Sequence, residues 1–159
     1  MSILKVDTIN EKTSGNGVQI AGHVIQFVHY TGTTSAAISG NNTYVNGAPD
    51  GTHTITPKFS NSIIVYRFYA GGLVQNSNDL GLRLKRDSTV VFANDRHGFC
   101  NLPSNWAPIN WSFQAIDTPN TTSQLTYTME VKATQGYARI NDYNGVANRY
   151  YVTIEEIAQ

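Results

Sequence analysis

Histidines, carboxylates and aromatic rings are the side chains of this sequence whose types and spacing bear on chemistry. The four histidines are His23, His29, His53 and His97. On an ideal strand His23 and His29 point to one face about 20 Å apart, too far to share a metal ion. The most reactive-looking polar run is Asn94-Asp95-Arg96-His97-Gly98. As a catalytic pair Asp95 and His97 would need a nucleophile and an oxyanion site, which the sequence does not announce. The run reads instead as a turn, with Asn94 and Asp95 capping backbone N–H groups and Gly98 supplying a positive φ. Glu155 and Glu156 face opposite ways on a strand, which disfavours a shared acid/base site, and Glu155 is expected to pair with a cation across the strand. No Gly-rich phosphate loop, G-x-S-x-G, H-E-x-x-H or EF-hand pattern occurs. Cys100 is the single cysteine. It allows no intrachain disulfide or thiolate cluster and reads as a small buried apolar residue. The expectation is a non-enzymatic chain with no catalytic residues, no cofactor and no metal.

The aromatics divide into two groups. Tyr66, Phe68, Phe92, Phe113 and Tyr127 fall in strand-like runs, where packing explains them. Tyr44, Phe99, Trp106, Tyr137 and Tyr143 fall between such runs, among Asn and Asp residues that include Asn105 and Asp142. An aromatic face against the C–H face of a sugar, ringed by Asn and Asp that accept hydroxyl protons, is a recipe for carbohydrate recognition. Tyr44, Asn105, Trp106, Asp142 and Tyr143 are therefore the candidate receptor or glycan contacts. The alternative is that these aromatics cap one end of the fold or lie between subunits.

The elements that must position these groups are strands. Apolar residues alternate with period two in 80–86, where Leu80, Leu82 and Leu84 point inward, and in 124–133, where Leu125, Tyr127, Met129 and Val131 do. Similar runs occupy 23–30, 52–56, 62–70, 89–93, 110–117 and 149–157. No 3.6-residue apolar stripe competes with them. About eight antiparallel strands with this patterning predict an all-β jelly-roll sandwich. In 62–70 both sets, Ile63, Val65, Arg67 and Tyr69 on one side and Ile64, Tyr66 and Phe68 on the other, are largely apolar. That predicts a central strand whose outer face meets a neighbouring subunit. Tyr66, Phe68, Tyr150 and Val152 are expected to form faces that one small sandwich leaves partly uncovered, in support of a trimer.

If these eight strands alternate in direction, the connections 31–51, 71–79, 94–109 and 134–148 share one pole, and all are long. The connections 57–61, 87–88 and 118–123 share the other, and all are short. Long connections bring no packing advantage and usually carry function. The pattern is that of a plain base and an elaborated outward end. Residues 1–22 stand apart as an extended arm: Ile3, Leu4, Val6 and Ile9 surround a short extended run, and Ser14-Gly15-Asn16-Gly17 makes a turn. Two short strands cannot bury both their faces, so the arm needs a partner. The head domain is then 23–159.

Composition excludes several classes. Eleven Lys+Arg balance eleven Asp+Glu, for a formal net charge of +0. No long-range positive field exists to attract phosphate backbones, so no nucleic acid is expected as a partner. The opening MSILKVDTINEK lacks the apolar core of a secretion signal. No run reaches ~18 apolar residues, so no membrane insertion is expected.

Two ends of the sequence carry a family resemblance. MSILKVDTI followed by SGNGVQIAGHVIQ resembles the opening of bacteriophage tail-fibre and virion structural proteins, especially those of marine and cyanobacterial phages. SNSIIVYRF, LGLRLKRDSTVV, NWSFQAIDTPNTTSQLTYTMEVKA and YYVTIEEIAQ resemble the head domain of that group. The shared features are Asp117 and Pro119, then Thr121 and Thr122, then Tyr127 and Thr128, with an Ile154–Ile157 edge at the end. The resemblance implies a homotrimeric jelly-roll head in a virion, made in the host cytoplasm. It implies partners among other virion proteins through the arm, with host surface glycan as a further one, and it brings no catalytic residues. The short arm, against the long repetitive shaft of most fibres, favours capsid decoration or a short fibre.

Overall fold

The computed structural model describes residues 8, 10, 20–40, 42–47, 51–75, 80–94, 107–143 and 146–159. Cys100, the run Asp95 to Gly98, Asn105, Trp106 and nearly all of the arm lie outside the described residues. Among those described there is no helix, and the strands are β1 (Val24–Gly32), β2 (Ala36–Ser39), β3 (Val45–Asn46), β4 (Thr52–Ile55), β5 (Ile63–Gln75), β6 (Leu80–Arg86), β7 (Thr89–Asn94), β8 (Ala107–Asp117), β9 (Leu125–Ala133), β10 (Tyr137–Ile140), β11 (Asp142–Tyr143), β12 (Val146–Ala147) and β13 (Tyr150–Ile157).

Two antiparallel sheets face each other. In sheet A, β5 pairs with β8 along one edge; its other edge pairs with β13, which pairs with β1, and further along with β10, which pairs with β2. In sheet B the order is β4-β9-β6-β7, with β3 continuing the β9 edge beyond β4. Numbering the eight principal strands β1, β4, β5, β6, β7, β8, β9 and β13 in chain order, sheet A reads 1-8-3-6 and sheet B reads 2-7-4-5. That order is the jelly roll.

The core follows from the period-two pattern. Along β9 every second side chain, from Leu125 through Tyr127, Met129 and Val131 to Ala133, is buried. Leu80, Leu82 and Leu84 of β6 meet them from the neighbouring strand. From sheet A come Ile64, Tyr66 and Phe68 of β5, Trp111 and Ala115 of β8, and Tyr150, Val152 and Ile154 of β13. Burying one such large side chain is worth roughly 1.5–3 kcal/mol. This placement corrects one expectation: Tyr66, Phe68, Tyr150 and Val152 are buried within the monomer and present no face to a partner. The sandwich is thick enough to cover them, because sheet B supplies a complete opposing leucine layer.

The pole of short connections is held by two carboxylates that point inward from the ends of sheet A strands. Asp117 accepts hydrogen bonds from Arg86 Nη1 at 2.8 and 2.9 Å and from the Tyr127 hydroxyl at 2.7 Å, which ties β8 to sheet B. Glu156, fully buried, accepts from the backbone N–H groups of Lys58 and Phe59 and from the Ser62 hydroxyl at 2.7–3.0 Å. It thereby fixes the β4–β5 connection to the last strand. Asp87, with φ of 52°, closes the β6–β7 hairpin and exchanges hydrogen bonds with Thr126. Gly22 and His23 pair with Ala158, so β1 begins and β13 ends at this same pole.

The opposite pole differs from expectation in a specific way. β5 runs on to Gln75 and β8 starts at Ala107, so the sheet extends beyond the expected 62–70 and 110–117 strands. Gly71-Gly72 reads as a break in sequence yet lies within β5. A Cβ on Gly72 would sit 2.1 Å from the Arg139 carbonyl oxygen and 2.6 Å from Trp111 Nε1, so glycine is what lets β10 and Trp111 close on the strand. The connection 134–148 supplies β10 and the β11–β12 ribbon. Asn141, buried and with φ of 59°, holds that region by donating to the carbonyls of Thr34 and Asn148.

Candidate functional site

The outward residues of sheet A form a grid that register alone defines. One row across β8, β5, β13 and β1 is Ser112, Tyr69, Tyr151 and Thr31. The next is Gln114, Arg67, Thr153 and His29, and the third is Ile116, Val65, Glu155 and Phe27. A row of alternating strand positions is a single surface, so these twelve side chains share one face. A bulge between Val24 and Gln26 shifts the register of β1, so alternation counted from His23 does not carry through to His29. His29 and Phe27 join the outer face for that reason.

The first two rows are aromatic and polar. Tyr69 and Tyr151 are 48% and 42% exposed, unusually open for rings in the middle of a sheet. Phe27, His29, Tyr151 and Tyr69 follow one another with ring centroids 6.5, 6.2 and 6.5 Å apart, a continuous aromatic ribbon across three strands. Beside it lies a depression of about 430 Å³ lined by Arg67, Tyr69, Ser112, Gln114, Tyr151 and Thr153, together with Phe68 and Phe113. Arg67 is fixed at its centre. Its Nη1 lies 2.6 Å from Glu155 Oε1 and its Nε donates to Gln114 Oε1 at 2.9 Å. The expected partner of Glu155 is thus Arg67, and the pair leaves this part of the face without net charge.

The outer face of sheet B is built otherwise. Glu130 pairs with Arg83 and, at 3.5 Å, with Lys85, while Thr126 and Thr128 complete the outward side of β9. Tyr44, in the connection just before β3, packs onto this face: the Arg83 guanidinium is 4.1 Å and the Lys132 ammonium 4.9 Å from its ring centroid. Asp142 pairs with Arg139 at 3.2 Å, and Tyr143 forms β11 with its backbone opposite Val146. Tyr44 thus packs against Arg83 and Lys132 while Asp142 pairs with Arg139, and Asn105 and Trp106 lie outside the described residues. Tyr69, Tyr151, Arg67 and Gln114 were not among the residues singled out for binding. For Arg67 and Tyr69 the signal is the excess of apolar and aromatic groups on the outer side of 62–70; Tyr151 and Gln114 join them only through strand register.

Among the described residues, His53, Tyr30, Tyr66 and Tyr127 are committed to packing. His53 is buried, with its Nδ1 3.1 Å from the Tyr66 hydroxyl and the Tyr30 ring edge-on at 4.8 Å. The Tyr30 hydroxyl donates to the Thr54 carbonyl and accepts from the Thr54 N–H, which joins the edges of the two sheets. Burial, with the nearby Tyr30, holds the Tyr66 hydroxyl far above the usual tyrosine range. Burial and the hydrogen bond to Asp117 do the same for Tyr127. Among the described residues no three His, Cys, Asp or Glu side chains are grouped to hold a metal ion. No described helix is long and apolar enough to cross a membrane.

No protein-family model matches the sequence, and no curated protein matches it significantly. Among solved structures, the chain is similar to the CBM36-1 domain of a multidomain xylanase from the hindgut metagenome of Trinervitermes trinervoides, at 17% identity and a TM-score of 0.40, over 81% of this chain and 96% of that one. It is also similar to a chain of infectious bursal disease virus, Gx strain, at 13% identity and a TM-score of 0.40, over 98% of this chain. A third is the VP2 subviral particle of infectious bursal disease virus, at 13% identity and a TM-score of 0.34, over 86% of this chain. The chain spans 42% and 38% of those two viral chains. Similarity at this level carries no function to the present chain, which is assigned as an all-β jelly roll on its own strand order.

Proposed function

We propose that this chain is a non-enzymatic structural protein of a virion, of bacteriophage tail-fibre or capsid-decoration type. Its jelly-roll head works as a homotrimer, anchored to other virion proteins by the arm 1–22. The observation that carries the proposal is the asymmetry of the sandwich. The chain enters β1 at the braced pole, where Asp117 and Glu156 lock the short connections, and an apolar band is exposed toward the same pole. That band contains Val24, Phe27 and Ile116, which are 53%, 58% and 60% exposed. Apolar burial at roughly 25 cal/mol per Å² over some ~1,500 Å² per pair would hold such a trimer together. The resemblance of the arm and of the strand ends to phage virion proteins supports the same reading.

The test is to compare the full chain with residues 23–159 for sedimentation and for binding to virions. The shortened head is expected to remain folded and to bind virions more weakly; unchanged affinity contradicts an anchoring arm. Ile116→Asp and Phe27→Asp are expected to shift the full chain from trimer to monomer. A full chain that sediments as a monomer at every concentration contradicts the trimer.

A second reading is a lectin-like receptor module at the long-connection pole, using Tyr44, Asn105, Trp106, Asp142 and Tyr143. It is favoured by the β11–β12 ribbon, which stands outside both sheets and is anchored through Asn141. Loss of host adsorption in Asp142→Ala, with assembly intact, would support it.

A further inference from the structure

We infer that the aromatic half of the outer face of sheet A is a binding site for a neutral oligosaccharide of β-linked hexopyranose units. This needs only the folded head and does not depend on the virion assembly proposed above. Three observations converge on it. Tyr69 and Tyr151 stand side by side on neighbouring strands, both close to half exposed, in a position where packing has no use for them. A pyranose with equatorial hydroxyls has a flat C–H face that covers such ring surface and excludes water from it. Next to the rings is a concavity of about 430 Å³, within the range of small-ligand sites.

The second row supplies the polar half of the recognition. Gln114 gives its carbonyl to Arg67 and so turns its amide N–H2 group to donation, while Ser112 and Thr153 offer hydroxyls that donate or accept. Among the described residues no hydrogen bond engages the hydroxyls of Tyr69 and Tyr151. Arg67 is clamped between Glu155 and Gln114, so its remaining N–H groups are held in place before any ligand arrives. The charge of this arginine selects the class of sugar. Glu155 at 2.6 Å neutralises it, so the site lacks the free cation that sialylated or uronic-acid chains would require. The His29 ring, stacked on Tyr151 with centroids 6.2 Å apart, continues the ribbon onto the next strand, which provides a track longer than one sugar unit.

The experiment is a titration of the uniformly 15N-labelled full chain with cellohexaose and with laminarihexaose, using hexagalacturonate as the acidic control. Saturable shifts of the amides of Arg67, Tyr69, Gln114, Tyr151 and Thr153 with at least one neutral hexamer, and weaker ones with the acidic hexamer, are expected. Tyr69→Ala and Tyr151→Ala are each expected to weaken that binding about tenfold while keeping a dispersed spectrum. If either variant fails to fold, the map of shifts on the unmodified chain decides alone. Shifts confined to Tyr44 and Asp142, stronger shifts with hexagalacturonate, or no shift with either neutral hexamer at millimolar concentration would each overturn the assignment. So would shifts of Tyr69 and Tyr151 that follow protein concentration without sugar, since these would make the face an interface between copies.

Discussion

The two outer faces of this sandwich come from the same alternation and end in different states. On β6 and β9 of sheet B the outward side chains are threonines and charges, with Glu130 paired to Arg83 and Lys85, and Tyr44 against Arg83 and Lys132. On sheet A the outward positions hold the ribbon Phe27, His29, Tyr151 and Tyr69, exposed and with no covering layer among the described residues. Both faces rest on one core, so the core does not explain the difference. A face closed by its own ion pairs has little left to offer a ligand. A face of open rings around one neutralised arginine has apolar area and oriented donors in reserve. The contrast separates a wall from a working surface.

The largest perturbation removes the ground on which both faces stand. Glu156→Ala strips the acceptor from Lys58 N–H, Phe59 N–H and the Ser62 hydroxyl in a buried site, and is expected to destabilise the fold by roughly 3 kcal/mol or more. Urea unfolding measures this, and a loss below ~1 kcal/mol would mean the pole is not braced as described.

Alkaline titration comes next. Tyr66 and Tyr127 keep their protons in the folded state beyond the ordinary value of 10.0, so above that pH the unfolded chain binds fewer protons than the folded one. Stability from these two groups is complete below pH 10.0 and declines as the pH rises above it, by up to ~1.4 kcal/mol per group per pH unit. Chemical denaturation at a series of pH values should show the decline, and Tyr127→Phe should make it shallower. A stability curve flat through that range would remove both tyrosines from the protected core.

Smaller effects separate the faces themselves. A double-mutant cycle between Arg83→Ala and Glu130→Ala is expected to give a coupling of about 0.2–1 kcal/mol that shrinks with added salt. Tyr69→Ser and Tyr151→Ser are expected to change unfolding free energy by no more than about 0.5 kcal/mol. Losses of ~2 kcal/mol at those tyrosines would make sheet A's outer face a packed surface, and the contrast would fail.

Much of this architecture is legible in the sequence because alternation is a local signal. Leu80, Leu82 and Leu84, and Leu125 through Val131, point inward as their spacing says. The segregation of long and short connections follows from strand count. Three features resist such reading. In 62–70 both faces are apolar, so parity alone cannot tell that Tyr66 enters the core while Tyr69 stays outside. The bulge in β1 inserts a residue whose effect appears only against its partner β13. The candidate site exists because β13 aligns Tyr151 with Tyr69, and register between strands so far apart in the chain is a tertiary property.

Tyr150 and Tyr151 are adjacent in the chain, yet one is buried and the other 42% exposed. Nitration of the native protein with tetranitromethane, followed by peptide mass mapping, measures that difference directly. Rapid modification of Tyr69 and Tyr151 with Tyr66, Tyr127 and Tyr150 untouched is the expected result. Equal modification of Tyr150 and Tyr151, or protection of both Tyr69 and Tyr151, would contradict an open aromatic face on sheet A.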